Sequence, residues 1–63
     1  MATLDGETPI EPDQIWVRRK DGTRVRVVTY DAVWDDVLWE NVETKHRSRI
    51  YGSTFRRCYG GPL

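Results

Sequence analysis

Cysteine, histidine and methionine each occur once in this 63-residue chain, and its formal net charge is zero. A lone thiol, Cys58, cannot close an internal disulfide, and with no CxxC or Cys/His spacing around it no zinc site is expected. Such cysteine usage fits a reducing cytoplasm. Long apolar runs are missing as well. Nothing approaches the roughly 20 residues of a membrane-spanning helix, so no membrane association is expected. The opening MATLDGETPIEPDQ has neither a basic start nor an apolar core, so it does not read as a signal peptide.

Catalytic groups are equally sparse. His46 lies in "ETKHR" and reads as a solvated turn histidine rather than a general base. Cys58 follows Arg56 and Arg57, and nearby cations lower a thiol pKa. With no second histidine, however, it reads as a small residue packed near the end of a barrel. Asp35-Asp36 and Glu40/Glu43 read as solvated acids, not as a metal site. Gly60-Gly61 sits in no phosphate- or dinucleotide-binding motif. The expectation is a non-enzymatic chain with no metal, no cofactor and no small-molecule substrate.

What the chain does have is aromatic mass and segregated charge. Three Trp, three Tyr and one Phe must supply much of the core, because a domain this small buries only about 60% of its unfolded surface. Residues 1–14 carry acids and no base, and 15–30 carry five bases against Asp21. Residues 31–44 then carry acids alone and 45–63 bases alone. A dipolar surface follows, unless opposite signs cancel across adjacent strands.

Residues 1–13, with Gly6, Pro9 and Pro12, read as an irregular acidic arm, and 14–63 as one β domain. "QIWVRR", "RVRVVTY", "DVLWENV" and "RSRIY" are rich in β-branched and aromatic residues and predict four strands. "STFRRCY" predicts a helical or 3₁₀ turn near 53–58 capped by Ser53 or Thr54, and a short last strand is expected near Gly60–Pro62. For the first hairpin, a three-residue loop at Lys20-Asp21-Gly22 sorts apolar from charged residues better than a two-residue loop does. It pairs Val17 with Val25, Ile15 with Val27 and Arg18 with Arg24. Ile15, Val17, Val25 and Val27 then point inward, while Trp16, Arg18, Arg24, Arg26, Val28 and Tyr30 point outward. Trp16 is expected opposite Arg26, within reach of a cation–π contact. In the later strands Val37, Trp39, Ser48 and Ile50 are expected inside, with Arg47, Arg49 and Tyr51 outside. Trp34, in the acidic turn "DAVWDD", is read as a lid on the core.

The stretches "IWVRRKDGTRVRVV", "ENVETKHRSRI" and "STFRRCY", with Phe55 and the closing Tyr59, follow one another in a familiar layout. In that layout the chain resembles small uncharacterised SH3-like barrel proteins of tailed phages and actinobacteria over residues 14–62. The resemblance implies a small barrel of four to five antiparallel strands with one short helical turn, and a phage or actinobacterial origin, with a cytoplasmic protein that works in the host cytoplasm if it is phage-encoded. It implies no catalytic residues.

Two functions follow from the residues. Arginine binds phosphate oxygens and aromatic rings stack on bases. The outward set Trp16, Arg18, Arg24, Arg26, Arg47, Arg49 and Tyr51 is therefore a candidate nucleic-acid surface, which the acidic arm from Asp5 to Asp13 would mask if it lay across it. The alternative is a protein-interaction module that captures a protein partner in a groove around Trp34, Asp35 and Asp36, suited to a basic or proline-containing peptide.

Overall fold

The computed structural model describes residues 8–63. Five antiparallel strands form a curled half-barrel with one short helix, the small SH3-like all-β arrangement expected from the sequence. The strands are β1 (Ile15–Arg18), β2 (Arg24–Asp31), β3 (Asp36–Asn41), β4 (Arg47–Tyr51) and β5 (Tyr59–Gly60), with α1 (Gly52–Cys58) between the last two. Their order across the sheet is β4-β3-β2-β1-β5, which leaves β4 and β5 as edges. Among the described residues, no helix is long and apolar enough to cross a membrane.

The first hairpin adopts neither register weighed above. Ile15 pairs with Arg26, Trp16 with Val25 and Val17 with Arg24. Four residues, Arg19–Gly22, close the turn, with Gly22 at φ 78° donating its N–H to the Arg18 carbonyl at 2.8 Å. Asp21 holds the turn from inside: its carboxylate accepts from the Thr23 N–H at 3.0 Å and from Arg18 Nε at 3.1 Å. This register places Trp16 on the same face as Val25 and Val27, and its side chain is only 3% exposed. The expected outward Trp16 and its contact with Arg26 are therefore overturned. One indole buries about as much surface as two β-branched aliphatics, and it meets aromatic partners. Its ring centroid lies 4.9 Å from that of Phe55, which stacks on Tyr59 at 4.7 Å. Ile15 and Val17 stay half-buried on the opposite face.

A bulge at Val28 changes the second half of β2. Val27 faces Trp39 and Thr29 faces Leu38, so β2 takes two steps where β3 takes one. Tyr30 thereby turns inward opposite Val37 and packs against the core, contrary to its expected outward place. In β3 and β4 the expected faces hold: Val37 is fully buried, Trp39 and Ile50 pack on the core, and Arg47, Arg49 and Tyr51 are exposed.

The helix closes the open side of the sheet with Phe55, which is fully buried. Its N-cap is Tyr51 and has no side-chain cap, so neither Ser53 nor Thr54 plays the expected part. Cys58 is exposed rather than packed, because Phe55 and Tyr59 are the residues α1 and β5 turn inward. Ahead of β1, Ile10 joins the core, and the Asp13 N–H donates to the Val27 carbonyl at 2.8 Å.

Candidate functional site

Four of the seven proposed nucleic-acid residues are arginines that share the outer face of the sheet, and acids are threaded between them. One row runs Ile15–Arg26–Glu40–Arg47 across β1 to β4. Glu40 Oε1 lies 2.8 Å from Arg47 Nε and 3.6 Å from Arg26 Nη2, and Asp13 takes Arg26 Nη1 at 2.9 Å. Arg49 Nη1 reaches Asp36 at 2.6 Å. Glu40 is held below the usual carboxylate range, chiefly by the hydrogen bond from Arg47. Arg24 makes no ion pair among the described residues. Tyr51 shares this face, but Trp16 does not. Arg18 sits at the end of β1 beside Tyr59, on the side opposite Arg24, and its guanidinium is held by Asp21 at 2.9 Å. Of the acidic arm proposed as a mask, Asp13 does reach Arg26, while Asp5 lies outside the described residues.

The β2–β3 turn forms a second surface. Trp34 is 73% exposed and Val33 is 85% exposed, so the expected core lid is overturned: Tyr30 and Ile50, on either side of Val37, pack against the core there. The turn is nonetheless tightly held. Asp31 Oδ1 accepts from the Val33 N–H at 3.0 Å and the Trp34 N–H at 3.4 Å, an Asx turn. Asp35, at φ 51°, accepts the Tyr30 hydroxyl at 2.7 Å on Oδ1 and the Ser53 N–H at 3.0 Å on Oδ2. Its carbonyl accepts the Gly52 N–H at 2.7 Å. These bonds, the Tyr30 hydroxyl foremost, lower the Asp35 pKa, and the same carboxylate raises that of Tyr30.

Asp36 stands opposite Tyr51 across the β3–β4 ladder, which brings a third exposed apolar side chain toward this end of the sheet. Tyr51 is 69% exposed. It borders a groove of about 330 Å³ lined by Asp36, Arg49, Ile50, Tyr51 and Thr54. The proposed partner groove of Trp34, Asp35 and Asp36 is thus divided. Asp36 lines the groove, Trp34 projects from the turn, and Asp35 is committed to anchoring α1.

Comparison with protein families, curated proteins and solved structures finds no match for this chain.

Among the described residues no three His, Cys, Asp or Glu side chains converge as metal ligands. His46 is exposed in the β3–β4 turn, its ring edge-on to Trp39 at 6.1 Å. Sequence reasoning missed Val33 and the pairing of Tyr51 with this end of the sheet. The Asx signature Asp31-Ala32-Val33-Trp34 was the signal that this tryptophan belongs to a fixed turn.

Proposed function

We propose that the domain is a non-catalytic protein-interaction module whose partner docks on the surface formed by Trp34, Val33 and Tyr51. The observation that carries this reading is Trp34 itself, a large aromatic side chain open to solvent on a turn pinned by Asp31 and Asp35. Binding hot spots are enriched in Trp and Tyr, and a rigid anchor loses little conformational entropy on association. The groove beside Tyr51 offers a pocket for an apolar partner side chain.

A second reading keeps the outer face as a nucleic-acid surface, favoured by Arg24, Arg26, Arg47 and Arg49 lying on one side. To grip phosphate, however, three of the four must loosen ion pairs with Asp13, Glu40 and Asp36.

Peptide-display selection on the nuclease-treated domain separates the two readings. Enriched peptides are expected to lose about thirtyfold in affinity with Trp34→Ala, equivalent to a hot spot of about 2 kcal/mol. No enrichment, or affinity untouched by Trp34→Ala, overturns the protein-binding reading. Binding of duplex or single-stranded DNA that falls steeply with salt and is lost in Arg24→Ala/Arg26→Ala would establish the second reading instead.

A further inference from the structure

The free edge of the sheet has a hydrogen-bonding phase that can be worked out residue by residue. Asn41 donates its N–H to the His46 carbonyl at 2.7 Å, and Gly52 donates to the Asp35 carbonyl at 2.7 Å. Both pairs belong to one antiparallel register, in which Trp39 faces Ser48 and Val37 faces Ile50. Bonded pairs alternate with non-bonded ones in such a ladder. Ser48 and Ile50 therefore turn their backbone groups toward β3, while Arg47, Arg49 and Tyr51 turn theirs away. β4 ends the sheet on that side, so among the described residues no strand meets the N–H and C=O groups of Arg47 and Arg49 or the N–H of Tyr51. The opposite edge is only the two-residue β5.

We infer that β4 is a docking edge for an extended segment of a partner protein, added as a sixth strand and carrying acidic residues at alternate positions. The inference deepens the protein-binding reading and rests on it. The five residues Arg47–Tyr51 span roughly 17 Å at strand rise, room for a peptide of about six residues. Every second side chain of that peptide stands on the outer face beside Arg47 and Arg49. Each of these commits part of its guanidinium to Glu40 or Asp36, and the remaining N–H donors face solvent, where a carboxylate can take them. The intervening side chains fall on the inner face beside Ser48 and Ile50, next to the groove that Ile50, Tyr51 and Thr54 line. That pattern calls for apolar residues there. A second copy of β4 is the poorer occupant. The two-fold pairing that engages all of the free groups sets Arg49 against Arg49, and like charges directly opposite destabilise a sheet.

The test is an amide NMR titration of the ¹⁵N-labelled chain with three synthetic peptides of about six residues: alternating valine and glutamate, alternating valine and lysine, and the glutamate peptide N-methylated at every residue, which removes the donors of both edges. The glutamate peptide is expected to shift the Arg47, Arg49 and Tyr51 amides and slow their hydrogen exchange. The lysine and N-methylated peptides are expected to bind at least tenfold more weakly. Arg49→Pro removes one outward N–H and is expected to weaken binding beyond Arg49→Ala, while the N-methylated peptide keeps the test independent of that variant's folding. Equal binding of the glutamate and lysine peptides, or no effect of N-methylation, overturns strand addition. So do shifts confined to Trp34 and its neighbours, which would leave the protein-binding reading standing without it.

Discussion

One carboxylate, that of Asp35, joins a turn, a strand and a helix. It takes the Tyr30 hydroxyl from β2 and the Ser53 N–H from the first turn of α1, and it leaves no space for a side chain at Gly52. Its pKa is lower in the folded chain than in the unfolded one, so its contribution to stability is complete above about pH 5 and is lost as pH falls through about 4 and below. Asp35→Asn is expected to melt at a lower temperature than the parent at pH 6. Its melting temperature should also change less between about pH 6 and pH 3, as followed by circular dichroism. Parallel pH profiles for the two proteins would show that Asp35 carries none of the acid dependence. This role was hidden in the sequence, where Asp35 reads as one acid of a solvated pair. Its partners lie five and eighteen residues away, and only the fold brings them together.

At the scale of elements, all four main strands and the helical turn were legible, because each is a short β-branched or aromatic run bounded by turn residues. Facing was legible where hydrophobicity alternates without competition, as in Val37/Trp39 and Ser48/Ile50. It failed in β1, where counting aliphatics favoured Ile15 and Val17 over a single tryptophan. There the decision depended on Phe55 and Tyr59, roughly forty residues on, which supply the aromatic surface that Trp16 covers. It failed again at Tyr30, because one extra residue at Val28 reverses parity with no mark in the local composition. The bulge yields a prediction about chain length. Deleting Val28 leaves Val27, Thr29 and Tyr30 opposite Trp39, Leu38 and Val37 in an unbroken ladder, so that variant is expected to retain a cooperative thermal transition. Deleting Leu38 puts Val37 and Trp39 on opposite faces with no bulge in β3 to absorb the change, and that variant is expected to lose the transition. Equal tolerance of both deletions would contradict the register.

Across the whole molecule, the outer-face arginines of the candidate site were legible as a group, and so was the alternative that opposite signs cancel across adjacent strands; which acid meets which arginine was not, because it depends on the register of β2, β3 and β4. Blocks of like charge along the chain become neighbours of opposite sign once β2, β3 and β4 lie side by side. What survives is a separation between the ends of the sheet. The β1–β2 and β3–β4 turns lie at one end, where Arg19, Lys20 and Lys45 outnumber Asp21 and Glu43, and the Arg57 carbonyl there receives Arg19 Nε at 3.2 Å. The β2–β3 turn at the other end holds Asp31, Asp35 and Asp36 with the exposed Trp34. A neutral particle built this way has two chromatographic identities. At low ionic strength and neutral pH it should be retained on both cation- and anion-exchange resins, seated by opposite poles. On the cation exchanger the indole of Trp34 should stay open to acrylamide quenching, and on the anion exchanger the matrix should shield it.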